Sequence, residues 1–171
     1  MTRILVLSDT HFSHGENASN LLADLDGYLQ ASDLIIHAGD HTSLGFYAEL
    51  MCAGNIVAVH GNMDVMPLRH ELPDRTVVEC EHIRIGITHG WGSASGLPER
   101  VYQSWSAPIP ELLIFGHSHR MCRQKRGNVL LFNPGSATSP RSSYASVGWI
   151  EISGSDVKAE HVQLPRLGRF P

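Results

Sequence analysis

The chain has 171 residues, enough for one domain with a complete core, and its 42% apolar and 18% charged residues match an ordinary soluble globular protein. A formal net charge of −4 argues against a broad basic face for duplex nucleic acid, and no apolar run approaches the roughly 20 residues that cross a bilayer. Cys52, Cys80 and Cys122 are isolated, odd in number and without C-x-x-C spacing, so neither a disulfide framework nor a thiolate zinc site is indicated.

The opening run "RILVLSD" (3–9) predicts a buried strand and is too short and poorly flanked for a signal peptide, so a cytoplasmic protein is expected. "ENASNLLADLDGYLQAS" (16–32) carries Leu21, Leu22, Leu25, Tyr28 and Leu29 as a one-sided stripe at helical spacing. A strand, "DLIIHAGD" (33–40), and a helix, "SLGFYAELMCAG" (43–54) stopped by Gly54, come next. "NIVAVHGNMD" (55–64) predicts a third strand, and "RTVVECEHIRIGITHGW" (75–91) a hairpin. After a weaker helix beyond Pro98 come "ELLIFGHSH" (111–119), "NVLLFNPGS" (128–136) and a hairpin around Gly154. Residues 163–171, punctuated by Pro and Gly, are expected to be a loose tail on a single domain spanning 1–171. Strand–helix alternation followed by strands alone predicts a mixed α/β layered domain.

Five of the predicted strands stop at a small residue or polar pair, and each stop carries a side chain able to bind metal. The stops hold Asp9 and His11, Asp40, Asn62, His89, and the pair His117 and His119. A lone H-x-H decides nothing, but an i, i+2 pair at a strand end points both imidazoles to one side. Ligands of α/β sheets gather beyond the carboxyl ends of strands. Two carboxylates, four imidazoles and a carboxamide, with no thiolate, favour a hard or borderline divalent ion. Seven donors exceed one zinc-type site and suit two ions sharing a carboxylate.

The ordered pattern D-x-H, G-D, G-N-x-D, H-G, G-H-x-H, from Asp9 through His119, resembles the calcineurin-like metallophosphoesterase superfamily. The chain length and "NPGSATSPR" (133–141) resemble its small single-domain phosphodiesterase branch of bacteria and archaea. The resemblance implies a four-layer αββα sandwich, two β-sheets face to face with helices outside. It implies a first metal held by Asp9, His11 and His119, a second by Asn62, His89 and His117, and Asp40 bridging them. Two divalent ions are therefore expected, manganese first, with nickel, iron, cobalt or zinc compatible. The implied reaction is hydrolysis of a phosphodiester by a metal-bridging hydroxide in line with the leaving oxygen. With two carboxylates and that hydroxide, two divalent ions keep one residual positive charge, which matches a monoanionic diester; Asp at position 62 would remove it.

The chain departs from the pattern at Met63, where many relatives carry His, and at Trp91, where a second His is frequent. Met63 cannot give a proton to a leaving alkoxide, so good leaving groups or another donor are expected to be needed. His41 and His14, beside ligand residues, are candidates to line the pocket and donate protons; Arg141 is a candidate phosphate contact. Trp91 reads equally as packing or as a stacking platform, and Asp64 as bonded within its turn. His37, His60, His70, His82 and His161 read as satisfied or surface residues. The expected partner is a small-molecule or nucleotide phosphodiester, with no duplex nucleic acid and no membrane; homo-oligomerisation stays open. The rival activities are a phosphomonoesterase or protein phosphatase on the same residues. A non-catalytic scaffold similar to a retromer subunit is the other rival, although that subunit lacks the full ligand set.

Overall fold

The computed structural model describes residues 1–12 and 18–165. Its strands form two five-stranded mixed sheets. The first runs β10 (Asp156–Gln163), β9 (Ser146–Ser153), β1 (Thr2–Leu7), β2 (Leu34–His37), β3 (Ile56–Ala58). The second runs β4 (Arg75–Cys80), β5 (Ile83–Thr88), β6 (Leu112–Ile114), β8 (Val129–Asn133), β7 (Cys122–Arg126).

The apolar runs split by parity into two sets of contacts, as the period-2 geometry of a strand requires. Ile4 and Val6 of β1, Ile85 and Ile87 of β5, and Leu130 and Phe132 of β8 fill the seam between the sheets. Leu5 and Leu7 face the other way, onto α1 (Ser19–Ala31) and α2 (Leu44–Ala53). Leu113 and Leu131 meet Leu97 and Val101 of α4 (Leu97–Gln103) on the outer face of the second sheet. Central strands are thus buried on both faces, which is why they read as continuous apolar runs rather than alternations. The result is the helix–sheet–sheet–helix stack. Leu21, Leu25 and Leu29 are the buried stripe of α1, and Ser43 caps α2 by accepting from the Phe46 N–H at 3.3 Å.

Two elements go beyond the sequence pattern. Helix α3 (Met66–Glu71) has six residues, with Pro67 in its first turn and Leu68 alone buried, so it shows no stripe to detect. Strand β7 reads "CRQKR"; it is an exposed edge paired only with β8, and its charges suit an edge that must not recruit another strand. The third strand is also shorter than residues 55–64. At the other end, Gln163 belongs to β10 and Leu164 is buried, its N–H donating to Ala145 O at 2.9 Å. The chain is therefore held through Leu164, and residues 166–171 of the expected tail lie outside the described residues. No helix among the described residues is long and apolar enough to cross a membrane.

Strands β1, β2 and β3 run parallel to one another, as do β5, β6 and β8. Their carboxyl ends carry the polar stops of the sequence.

Phe132 is fully buried in the inter-sheet seam and stacks on His161 at 4.7 Å between centroids. Phe132→Ala should lower unfolding free energy by about 3–5 kcal/mol, the usual loss for an aromatic ring removed from a core. Urea unfolding followed by circular dichroism measures this; a loss below about 1 kcal/mol would mean the seam re-closes over the cavity.

Candidate metal centre

The loops after β1 and β2 are zipped together by backbone bonds, Asp9 N–H to Gly39 O at 3.0 Å and His11 N–H to Asp40 O at 3.1 Å. Reaching that arrangement takes unusual backbone. Seven non-glycine residues among those described have positive φ, and five are candidate donors: Asp9, His11, Asp40, His117 and His119, at 45° to 67°. Each such residue costs of order 1 kcal/mol or more and persists only where its surroundings over-determine it. Close approach adds a second demand. A Cβ on Gly61 would collide with the Asp40 carboxylate and backbone, and one on Gly39 with the His89 ring.

The side chains converge. His11 Nε2 and His119 Nε2 are 3.1 Å apart, and His119 Nε2 lies 3.5 Å from Asp9 Oδ1. Asp40 Oδ2 sits between the two halves, 3.6 Å from His11 Nε2 and 3.2 Å from His89 Nε2. Asp9, His11 and His119 form one group able to hold a cation, and Asp9, Asp40 and His89 a second. His117 joins through its ring, 5.3 Å from that of His89 between centroids, and through Nδ1, 3.0 Å from Asn62 Oδ1. All seven sequence-predicted donors meet at one place. His11, Asp40, Asn62, His117 and His119 line a cavity of about 310 Å³, with Met63 and Arg141 at its wall, while Asp9 and His89 are buried beneath.

The hydrogen bonds fix which nitrogens are free. His89 Nδ1–H donates to Ala38 O at 2.7 Å and His119 Nδ1–H to Ser139 O at 2.7 Å, leaving both Nε2 lone pairs facing inward. His89 Nε2 is buried without a hydrogen bond; its 3.2 Å approach to Asp40 Oδ2 is out of alignment. His117 faces two acceptors, Gly92 O at 2.8 Å and Asn62 Oδ1 at 3.0 Å, and a neutral ring donates to only one. Lone pairs facing lone pairs and carboxylates are repulsive unless a metal ion or a proton lies among them; burial opposes a proton on His89, but Asp40 and Asp9 outweigh it and hold that ring above its usual range. The donor set fits divalent metal.

Burial pushes the Asp9 carboxyl up to about 7, against the pull of His89 and the Ser8 hydroxyl. Burial also opposes ionisation of Asp40, but the His89 ring and the Met63 N–H outweigh it and hold that carboxyl below its usual range. For His11 and His119 burial is the largest effect and lowers both, which favours the neutral ring a metal needs.

Outside the donors, Asp64 bonds within its turn as expected, through the Gly61 N–H, and the structure extends that reading. Its carboxylate does not bond only within its own turn. It accepts from Asp40 N–H at 3.0 Å, Thr42 N–H at 2.7 Å and Gly61 N–H at 2.7 Å, and so ties the β2 loop to the β3 loop. Burial opposes its charge, but His41 and these N–H groups hold the carboxyl well below the usual carboxylate range. His41 is a correction. Expected at the cavity, it is wholly buried, stacked on His37 at 3.6 Å, with Nδ1 3.3 Å from Asp64 Oδ2. The same loop sends the Asp40 side chain to the cavity and the His41 side chain beneath it. His14, the other candidate donor, lies outside the described residues. Arg141 does line the cavity, and its N–H donates to His119 O at 2.9 Å. Sequence reasoning gave no role to Ser136, whose hydroxyl donates to Asp9 O at 2.7 Å, or to Thr138, whose hydroxyl donates to Thr10 O at 2.7 Å. Both lie in the conspicuous "NPGSATSPR" segment, which was the available signal.

The model of the calcineurin-like phosphoesterase superfamily domain matches residues 2–155. A "probable metallophosphoesterase" of Methanothermobacter thermautotrophicus is 32% identical, over 92% of this chain and 90% of its own length. Among solved structures, Vps29 of Chaetomium thermophilum superposes with a TM-score of 0.76 at 22% identity, covering 99% of this chain and all of its own. An archaeal phosphodiesterase gives a TM-score of 0.69 at 23% identity, covering 94% of this chain and 99% of its own. The chain belongs to the calcineurin-like phosphoesterase superfamily. Membership implies divalent metal ions at the centre and makes the chain a metal-dependent phosphoesterase.

Asp64→Asn keeps the size of the side chain but replaces one accepting oxygen with an N–H₂ that faces backbone donors. Unfolding free energy should fall by about 1–3 kcal/mol, the range for a buried donor left without its acceptor. Denaturant titration of the purified variant measures it, and an unchanged midpoint would remove Asp64 as the tie between the loops.

Proposed function

We propose that the chain is a two-metal phosphodiesterase acting on a small-molecule or nucleotide phosphodiester, with manganese the first candidate metal. The observation that carries this reading is the position of Asp40 Oδ2, within 3.6 Å of His11 and 3.2 Å of His89. That oxygen is within reach of both donor groups, as a bridging carboxylate must be. Asp9, His11 and His119 would hold one ion, and Asn62, His89 and His117 the other. When bound, such ions supply an activated water and neutralise charge on the phosphate.

The chain's own residues do the rest. Ala38 O and Ser139 O hold the His89 and His119 rings in the tautomer that turns Nε2 inward. Met63 N–H donates to Asp40 Oδ1 at 2.7 Å and keeps Oδ2 turned to the imidazoles. His41, through Asp64, braces the Asp40 loop and does not meet substrate. Arg141 at the cavity wall suits a non-bridging phosphate oxygen. The preference for diester rests on Asn62, a neutral donor where a third carboxylate would cancel the attraction for a monoanion. The Met63 side chain lines the cavity and carries no transferable proton. Diesters whose alcohol leaves readily as an anion are therefore the better substrates.

The overall fold is shared with Vps29, at an identity that speaks for the fold alone, so turnover is the discriminating measurement. Metal-stripped protein should be inactive and should regain hydrolysis of bis(p-nitrophenyl) phosphate with manganese, at a higher kcat/KM than p-nitrophenyl phosphate. A reversed ratio supports the phosphomonoesterase; metal binding without turnover of either ester supports a scaffold.

Asp40→Asn tests the bridge. Without a shared carboxylate two divalent ions repel, so calorimetry should find one manganese per chain in the variant against two in the native protein. Activity should fall more than for His117→Ala or His119→Ala. Two equivalents at native affinity in Asp40→Asn would contradict a bridging role.

A further inference from the structure

A second cavity of about 340 Å³ adjoins the first, with Asn62 common to both walls. Its floor is the buried Thr88 and His89, and its outer wall is Trp91, Arg69, Arg75 and the exposed Asp74. Trp91 is 48% exposed; its indole stacks on no ring and its N–H has no acceptor among the described residues. An exposed indole is ordinarily loose, but this one is fixed at its root. The Arg100 guanidinium donates to Trp91 O at 3.0 Å, to Ser93 O and to Ser95 O at 2.8 Å, so the loop is pinned to α4. The backbone that carries the ring is thus placed in advance, which removes part of the ordering cost of stacking a ligand on it.

The charges on the groove wall are uneven. Arg75 is engaged, donating to Ser104 O at 3.1 Å, lying over Trp105 and pairing with Asp74 at 3.9 Å. The Arg69 guanidinium has no hydrogen bond or ion pair among the described residues. One exposed π face on a pinned loop and one uncommitted cation therefore line a groove that begins at a candidate metal donor, and the Asp74 carboxylate on the same wall is turned to Arg75.

We propose that this groove holds one ester substituent of the phosphodiester, a nucleoside-like group whose aromatic ring stacks on Trp91 and whose second phosphate meets Arg69. The assignment rests on the phosphodiesterase reading above and names its substrate class. The groove volume lies in the usual range of small-molecule sites. Base–aromatic stacking tolerates any base, so Trp91 selects an aromatic substituent rather than one particular base.

Three chromogenic diesters with one leaving group test this: methyl p-nitrophenyl phosphate, thymidine 5′-(p-nitrophenyl phosphate) and the 3′-phosphate of the latter. Trp91→Ala should lower the kcat/KM ratio of the thymidine ester to the methyl ester by roughly 5- to 150-fold. Trp91→Phe should retain most of that ratio. Arg69→Ala should lower the further gain from the 3′-phosphate, and Arg69→Lys should restore part of it. Independently of turnover, calorimetry on manganese-loaded protein should show thymidine 3′,5′-bisphosphate binding about tenfold more weakly to Arg69→Ala than to the native chain. Ratios unchanged in Trp91→Ala and Arg69→Ala, with methyl p-nitrophenyl phosphate turned over, overturn the groove alone. Failure of the metal-loaded native chain to cleave any of the three overturns the phosphodiesterase reading, and the groove assignment with it.

Discussion

Two carboxylates, Asp9 and Asp40, are buried at the end of an apolar seam, and an unpaired buried charge is among the least tolerable features of a fold. Much of the surrounding structure answers that constraint. Ser8 and the His117 N–H bond the Asp9 carboxylate at 2.8 and 3.1 Å, and the Met63 N–H bonds Asp40. Burial still raises the Asp9 carboxyl to about 7, so its charged form holds no clear advantage near neutral pH. A cation beside it resolves the conflict, so the centre stabilises a metal and the metal stabilises the centre.

The same constraint explains the backbone. Side chains that leave ordinary strand ends diverge; bringing six ionisable groups and an amide together requires left-handed turns at Asp9, His11, Asp40, His117 and His119. Such turns survive because hydrogen bonds on both sides over-determine them. Asp64 locks Asp40 and Thr42 to Gly61, and Ser136 and Thr138 hold the Asp9–Thr10 carbonyls. His41 belongs to this bracing layer: fully buried, it supports the Asp64 carboxylate from beneath. Rigidity follows, and a preorganised site places charge for a transition state without reorganising during reaction.

The sandwich itself is shared by Vps29 proteins and by a phosphodiesterase at comparable TM-scores, so the architecture does not select between catalysis and scaffolding. What distinguishes a chain within this fold is the chemistry at the strand ends and the walls around them. Here Met63, Trp91, Arg69 and Arg141 are the residues that give the centre its own surroundings.

The sequence alone determined the strand runs, the C-terminal hairpin and the five polar stops with their seven donors, because buried strands are continuous apolar runs and small residues mark where backbone must approach closely. It also carried the family resemblance through the order of D-x-H, G-D, G-N-x-D, H-G and G-H-x-H. It did not reveal α3 or β7, since one buried leucine and an exposed basic edge leave no periodic signal. Nor could it place His41, which sits next to Asp40 in the chain yet points under the loop instead of into the cavity. Asp64 looked like a local turn residue until the fold brought the Asp40 loop against it, 24 residues away. Residue type and spacing are local and legible. Which side of a loop a neighbour faces, and which distant N–H a carboxylate meets, depends on how two sheets pack, and only the tertiary structure decides that.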